Sequence, residues 1–300
     1  MQKQLLFDTD LIGDNLLALI AAVGSSKIAI NGVTVFGRRY SAIERAAVAI
    51  KLLHCLGANS IPVAAGVNRP LLRPPNPGCT ACNEPIMRFL NNNSSLFREK
   101  PDLYQKIYQP GAIQLLSKII SSRPGEVSVL CTGPLTNLAL AVTINPEITD
   151  LGKEIVIMGG AAWTPGNVSP VAEVNIFNDP EAAAIVFERF PRITMVGLDV
   201  TFHTLIDSSL GADLFPEASE LGNLVSGIIT SCIKTQHERR GLTKMPLHDP
   251  LALLVCIEPS LIKTVPCKVH IETADQYTIG QTICQPLTAL EATDPKQRMV

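Results

Sequence analysis

The chain of 300 residues has few charged and few aromatic side chains, and it lacks an apolar run long enough to cross a bilayer. Charged residues make up 17% of the sequence and the formal net charge is −2. The sequence therefore has neither the basic field of a nucleic-acid-binding protein nor an acidic tail. The apolar run Leu5–Phe7 ends at Asp8, which is too short for a signal-peptide core. These absences argue against nucleic-acid and membrane partners and predict a cytoplasmic protein.

The eight cysteines indicate no disulfide framework. Six are scattered through apolar segments and are interpreted as small buried side chains: Cys55, Cys131, Cys232, Cys256, Cys267 and Cys284. Cys79 and Cys82 have the spacing of a zinc half-site or a redox pair. Because no second pair supplies the remaining zinc ligands, two thiols in an irregular loop is the favoured interpretation.

Apolar segments bounded by turn residues alternate with segments of helical spacing. The predicted strands are Gln4–Phe7, Ile28–Phe36, Ile61–Ala65, Val127–Cys131, Glu154–Met158 and Ile193–Gly197. The predicted helices are Asp14–Val23, Ala42–Leu56, Ala112–Ser121, Leu135–Thr143 and Pro180–Phe190. This alternation predicts an α/β fold with a mostly parallel, helix-covered central sheet and a Rossmann-like core.

Two regions depart from this alternation. Residues 71–108 predict an irregular loop region with one helix over Glu84–Leu90. Near the end of the chain, Thr264–Glu272 and Tyr277–Ile283 alternate in hydropathy and predict a small C-terminal β-ribbon. No repeat or linker divides the sequence, so residues 1–300 are expected to form a single domain.

Three carboxylates, Asp8, Asp10 and Asp14, lie within seven residues where the first predicted strand ends. In an α/β sheet, ligands bind at the carboxyl ends of the strands. Carboxylates packed this closely repel one another, so a cation is expected to compensate them. Ca²⁺, which prefers carboxylate and carbonyl oxygens, is the natural candidate.

Other predicted strand ends also carry polar residues. Thr132–Asn137 and Met158–Gly160 follow two of these strands, and the irregular segment Pro165–Pro180 comes after the second. Leu247–Pro250 is a further polar segment, directly before an apolar helix. Each has a structural alternative, because Asp179 and Asp249 precede proline as helix N-caps do, and a lone His248 is more often structural. Recurrence at one edge of the sheet favours a functional interpretation.

The motifs Asp8-Thr-Asp10, Thr132-Gly-Pro-Leu-Thr-Asn137, Met158-Gly-Gly160, Glu173-Val-Asn175 and His248-Asp-Pro250 resemble, in the same order along the chain, those of the inosine–uridine nucleoside hydrolase family. The resemblance covers nearly the whole chain. It implies a calcium-dependent, homodimeric or homotetrameric enzyme that hydrolyses the N-glycosidic bond of a ribonucleoside, a small-molecule substrate.

The resemblance also implies roles for individual residues. Asp10 is expected to bind the metal and to act as general base, and His248 to protonate the leaving group. The expected metal ligands are Asp10, Asn15, Asp249 and the carbonyl of Thr132. The expected substrate-binding residues are Asp14, Asn167, Glu173, Asn175, Asp249 and Arg38.

The chain departs from the family pattern at two of these positions. Asn15 stands where a second aspartate is usual, so calcium affinity is expected to fall. Arg38 stands where a pocket asparagine is expected, and its positive charge is expected to neutralise the aspartates and to substitute in part for the metal. The usual Pro-Gly after the second aspartate is Leu11-Ile12.

These departures leave three hypotheses open. The chain is a ribonucleoside hydrolase, specialised for a modified nucleoside, or a catalytically impaired homologue that binds a nucleoside or ribosylated ligand without turnover. The third is an enzyme that runs the same sugar chemistry on another substrate or without Ca²⁺. The candidate base-reading segments are 71–97 and 231–244.

Overall fold

The computed structural model describes residues 2–38, 40–75, 101–215, 219–288 and 298–299. Its strands are β1 (Lys3–Thr9), β2 (Ile28–Val35), β3 (Val63–Ala65), β4 (Val127–Thr132), β5 (Glu154–Met158), β6 (Ile193–Val196), β7 (Leu205–Ile206), β8 (Met245–Pro246), β9 (Pro266–Ile271), β10 (Thr282–Pro286) and β11 (Arg298–Met299). A nine-stranded sheet has the order β10-β9-β11-β6-β5-β4-β1-β2-β3, and β7 pairs with β8 separately. Strands β1 to β6 are parallel to their neighbours, while β9 runs antiparallel to both β10 and β11.

The described helices connect these strands and cover the sheet. They are α1 (Asn15–Gly24), α2 (Ala42–Cys55), α3 (Ala112–Ser122), α4 (Thr136–Ile144), α5 (Ile148–Leu151), α6 (Val174–Asn178), α7 (Pro180–Arg189), α8 (Leu198–Thr201), α9 (Ser209–Leu214), α10 (Glu220–Arg240) and α11 (His248–Ile257). Helix α2 begins with a capping box between Ser41 and Glu44, and α10 ends at Gly241, which adopts the left-handed conformation that glycine tolerates.

Apolar cores lie on both faces of the sheet. Leu5 and Phe7 of β1 pack into one core with residues of α1, α2 and α11. Leu6, on the opposite face, packs with residues of α3, α4 and α7. Because both faces are covered, the strands are apolar almost throughout, which confirms the predicted helix-covered parallel sheet.

The predicted strands are confirmed with small shifts at their ends, and so are the predicted helices. The β-ribbon is also confirmed, but its second strand begins at Thr282 and not at Tyr277. Residues before it form a turn in which Gly280 has φ +76° and the amide of Gly280 donates to the carbonyl of Glu272. The prediction therefore placed the start of this strand too early in the sequence, within the turn.

Some of the predicted features fall in parts of the chain that the structure does not describe. Cys79, Cys82 and the predicted helix Glu84–Leu90 lie outside the described residues. Within the described part of the chain, no helix is both long and apolar enough to cross a membrane. The single domain over residues 1–300 stays a prediction.

Candidate active site

The carboxyl ends of the central strands bring the predicted site residues to one edge of the sheet. Thr9, at the end of β1, is in register with Val35 of β2 and with Thr132 of β4. The segments that follow these strands therefore start side by side. Asp10 follows β1, Arg38 follows β2, and Gly133 follows β4 so closely that a Cβ there would lie 2.8 Å from the amide nitrogen of Asp10.

Asp8 is a buried carboxylate that ties three elements together. Its Oδ1 accepts hydrogen bonds from the hydroxyl of Thr34 at 2.6 Å and from the amide of Asn137 at 3.0 Å. The side-chain oxygen Oδ1 of Asn137 in turn accepts from the main-chain amide of Val67 at 3.1 Å. Burial raises the pKa of Asp8 to about 6. Asp8 and Asn137 thus position the strand end beneath the site.

Asp10 is buried between two arginines. Its Oδ2 lies 3.1 Å from Nε of Arg38, and Nη1 of Arg45 donates to its main-chain carbonyl. Burial raises the pKa of the Asp10 carboxyl, while the charges of Arg38 and Arg45 oppose that rise. Arg45 is only 1% exposed, and burial lowers its pKa to about 10. The aspartate is therefore held in a largely desolvated site with positive charge beside it.

Asn15 is fully engaged in hydrogen bonds at the first turn of α1. Its Oδ1 accepts from the hydroxyl of Thr9 at 2.5 Å and from the hydroxyl of Thr132. Its Nδ2 donates to the carbonyl of Ile12 at 2.8 Å and to Oδ1 of Asp10 at 3.3 Å. Since the two partners of Nδ2 are acceptors only, this network fixes which side of the amide carries the oxygen.

The turn between β1 and α1 differs from the pattern of the resemblance for a stereochemical reason. Leu11 has φ +51°, in the left-handed region that few side chains adopt. Proline, with φ fixed near about −65°, cannot take this conformation. The amide of Leu11 donates to the Thr9 hydroxyl at 2.9 Å, and its side chain is buried, so packing holds the strained residue in place.

Asp14 joins this turn to the start of α11. Its Oδ2 accepts from the main-chain amides of His248 at 2.7 Å and of Asp249 at 3.0 Å. A carboxylate at a helix N-terminus is stabilised by the orphan amides and by the helix dipole. Asp249 is buried, and burial followed by repulsion from Asp14 and Asp10 raises its pKa well above the usual range.

Glu173, Asn175 and Asn167 form the opposite side of the site. The Glu173 carboxylate caps α6 by accepting from the amides of Asn175 and Ile176, and it also accepts from the amide of Gly160 at 3.1 Å. Burial raises the pKa of Glu173 to about 7. Asn175 donates to the carbonyl of Met158 at 3.1 Å, and Oδ1 of Asn167 accepts from the amide of Val174 at 2.8 Å.

His248 lies at the first position of α11, half-buried. Its Nδ1 is 2.7 Å from the hydroxyl of Thr201, and its ring makes an edge-on contact with Phe202 at 5.8 Å between centroids. These contacts fix the orientation of the imidazole. The hydroxyl and the aromatic ring both come from the segment that follows β6.

The donors expected for Ca²⁺ do not fit that ion. Calcium takes six to eight oxygen ligands. Oδ1 of Asn15 already accepts from two hydroxyls, and the two carboxylate oxygens of Asp10 face the Asn15 amide and Arg38. Among the described residues, no group of three or more His, Cys, Asp or Glu side chains is placed to hold a metal. The expected ligand role of Asn15 therefore has no support in its contacts.

The structure gathers most of the predicted residues, and it adds some that the sequence interpretation missed. Arg45, Thr9, Thr34 and Thr201 were not singled out. Arg45 carried a usable signal, since it lies on the same helical stripe as Ala42, Ala46 and Ala49 and thus faces the core. Asp179 is the N-cap of α7 that its position before Pro180 predicted, and it also accepts from the hydroxyl of Thr136 at 2.6 Å.

Proteins of known function resemble the chain over almost all its length. The pyrimidine-specific ribonucleoside hydrolase RihA of Citrobacter koseri is 33% identical over 291 residues, which cover 94% of this chain and 88% of that protein. The corresponding protein of Photobacterium profundum is 32% identical, with coverages of 94% and 89%.

Solved structures agree with this likeness. A plant nucleoside hydrolase superposes with a TM-score of 0.86 at 25% identity and covers 100% of this chain and 94% of its own. The purine-preferring ribonucleoside hydrolase of Gardnerella vaginalis gives 0.85 at 28% identity, with coverages of 99% and 93%. The model of one family, the inosine-uridine preferring nucleoside hydrolases, matches residues 5–299. With this match across the sheet and across every segment of the site, the chain belongs to the inosine-uridine preferring nucleoside hydrolase family and is a ribonucleoside hydrolase.

Proposed function

We propose that the chain hydrolyses the N-glycosidic bond of a ribonucleoside with Asp10 as the general base. The observation that carries this proposal is the grouping of Asp10, Asp14 and Asp249 at the carboxyl edge, with Glu173 facing them. Oδ2 of Asp14 accepts from the main-chain amide of Asp249 at 3.0 Å, and Arg38 contacts both Asp10 and Asn175, two residues from Glu173. Acidic groups around a sugar suit a reaction that develops positive charge on the ribose.

Breaking the bond between C1′ and the base nitrogen gives an oxocarbenium-like transition state. Nearby carboxylates stabilise such a charge most effectively where water is excluded, as it is around the buried Asp10 and Glu173. Asp10 takes a proton from the water that attacks C1′, while Arg38 keeps its carboxyl oriented and Arg45 holds its main-chain carbonyl. The calcium ion implied by the resemblance enters no step, because the donors present do not fit it.

The sugar binds between Asp14 and the loop of Asn167, Glu173 and Asn175. Asp14 and Asp249 offer acceptors for ribose hydroxyls, and the arginine and asparagine side chains offer donors. Both the 2′- and 3′-hydroxyls are used, so 2′-deoxynucleosides are expected to be poor substrates. Because Nδ1 of His248 faces Thr201, proton transfer to the departing base is assigned to Nε2.

The base class is decided by experiment, since the Citrobacter koseri relative is pyrimidine-specific and the Gardnerella vaginalis enzyme is purine-preferring. A mixture of both classes and of modified ribonucleosides is therefore incubated with the protein, and the products are identified by mass spectrometry. We expect one class to disappear with release of free base and ribose. Cytoplasmic location and assembly as a homodimer or homotetramer stay predictions.

The role of Asp10 is tested by Asp10→Asn, which removes the proton acceptor and keeps the side-chain size. Loss of a general base typically lowers turnover by about 10²–10⁴-fold. Asp150→Asn is the matched control, because Asp150 is exposed on α5, which leads into the amino end of β5. Turnover by Asp10→Asn at the wild-type rate would refute the mechanism. Retention of a nucleoside by wild-type protein without any turnover would favour a binding protein over an enzyme.

A further inference from the structure

Arg38 places a fixed positive charge across the site. Its Nε lies 3.1 Å from Oδ2 of Asp10, and its Nη2 donates to Oδ1 of Asn175 at 3.4 Å. The side chain is 10% exposed, so the charge is shielded from solvent. The guanidinium thus connects the aspartates after β1 with the sugar-binding segment that follows β5.

A second guanidinium reinforces the first. Nη1 of Arg45 donates to the main-chain carbonyl of Asp10. Its Nε and Nη2 are buried and have no hydrogen-bond partner in the part of the chain that the structure describes. A buried cation with unused donors is costly unless negative charge lies close by. The carboxylate of Asp10 supplies that charge.

Asn15 completes the arrangement, because it places a neutral side chain where the resemblance implies an aspartate. The hydroxyls of Thr9 and Thr132 both donate to its Oδ1, and its Nδ2 donates to Asp10. An aspartate at this position would instead set a second carboxylate against Asp10. The neutral amide therefore ties together the same group of residues without adding negative charge.

The two departures from the family pattern balance the charge of a divalent ion. Replacing an aspartate by Asn15 removes one negative charge, and replacing an asparagine by Arg38 adds one positive charge. Together they shift the formal charge of the site by the same amount as one Ca²⁺. The two substitutions thus change the charge in the same direction at the side chain of Asp10, which contacts both residues.

We propose that Arg38 supplies, in this chain, the positive charge that the resemblance assigns to calcium and donates to the sugar, and that the chain binds its ribonucleoside without a metal ion. This inference rests on the proposed function, since it takes the ribonucleoside as the ligand. A guanidinium has only donors, so it binds ribose hydroxyls through their oxygen lone pairs. Unlike a metal, it does not make a bound water acidic, so removal of the water proton depends on Asp10 alone.

The first test measures calcium binding by titration calorimetry on the full chain after EDTA treatment and dialysis. The proteins compared are wild type, Arg38→Asn and the double variant Asn15→Asp with Arg38→Asn, which restores both residues of the family pattern. Wild type is expected to show no saturable binding below about 1 mM Ca²⁺, the weak end of the range for protein calcium sites. The double variant is expected to bind at least about tenfold more tightly than that limit.

Each outcome decides the inference. Saturable calcium binding by wild type below this limit would overturn it, and so would a folded double variant that gains no affinity. Circular dichroism reports whether the variants fold. If the double variant does not fold, the wild-type titration still decides, because the inference requires wild type to bind no calcium below this limit.

The second test uses D-ribose as the probe and thermal shift as the readout. Wild type is expected to be stabilised equally by ribose in EDTA and in CaCl₂, with affinity at least about tenfold weaker in Arg38→Asn and intermediate in Arg38→Lys. A ribose shift that appears only with Ca²⁺ would overturn the inference. Hydrolysis that needs Ca²⁺ would overturn it and leave the proposed function standing. Ribose binding in EDTA without hydrolysis of any nucleoside would reject the proposed function and leave Arg38 as the cation of the site.

Discussion

Asp14 is expected to stabilise the fold as well as to bind the sugar, and the two roles can be separated. Its Oδ2 accepts from the amides of His248 and Asp249, whereas α1, which starts beside it, receives no side-chain cap from Asp14. Loss of the side chain therefore affects the start of α11. Hydrogen bonds to a charged acceptor contribute about 1.5 kcal/mol each, so Asp14→Ala removes about 3 kcal/mol. Relief of the repulsion between Asp14 and Asp249, which contributes to the raised pKa of Asp249, offsets part of this loss.

The net expectation for Asp14→Ala is a loss of about 2 kcal/mol in the free energy of unfolding, or about 4 °C in Tm for a chain of this size. Asp14→Asn keeps a carbonyl acceptor for the amides and should lose about half as much. Both variants should lose activity, because the carboxylate is also a proposed contact of the sugar.

The assay is thermal unfolding followed by circular dichroism, with Asp150→Ala as an exposed control. The control should stay within about 0.5 kcal/mol of wild type. The reasoning is refuted if Asp14→Ala melts with the wild type, or if Asp14→Asn is the less stable of the two. Either result would mean that the carboxylate does not hold the start of α11.

Three further predictions follow from contacts around the site. Asn137→Leu removes one hydrogen-bond partner from the buried Asp8 carboxylate and one from the Val67 amide. It should lower the free energy of unfolding by about 2–4 kcal/mol, measured by urea denaturation, and an unchanged urea midpoint would contradict this. Gly133→Ala places a Cβ 2.8 Å from the amide nitrogen of Asp10 and should lower kcat by up to about 100-fold. In the control Gly24→Ala the new Cβ meets nothing within 4 Å, so kcat should not change; equal kcat values in the two variants would contradict this. Because burial raises the pKa of Glu173 from 4.5 to about 7, folding favours its protonated form, so the free energy of unfolding should fall by about 3 kcal/mol as pH rises across that interval. Glu173→Gln should flatten the dependence, and an identical slope in the variant would show that Glu173 does not cause it.

The sheet was predictable because its strands are short apolar runs that end in turn residues. Leu5 to Phe7 face two cores on opposite sides, so no polar residue interrupts the run before Asp8. The same property revealed the site, since polar residues directly after a buried strand must lie at its carboxyl end. Asp10 and Thr132 were located in this way.

The remaining features depend on contacts between distant parts of the chain. Nothing local at Asp14 shows that its carboxylate caps a helix that begins more than 230 residues later. Arg45 occurs in a helix where an arginine is ordinarily exposed, and only its place on the apolar stripe indicated burial. The second strand of the ribbon was displaced because alternation in hydropathy continues through the turn before Thr282.

The central claim, that water is added across the glycosidic bond of a ribonucleoside, is tested most directly by running the reaction in H₂¹⁸O. Each sample is reduced with borohydride as it is taken, because free ribose exchanges its anomeric oxygen with water, and mass spectrometry then follows the released sugar and base. We expect free base together with ribose that carries one ¹⁸O atom from the attacking water. Ribonucleosides that all remain intact, or ribose released without the label, would contradict it.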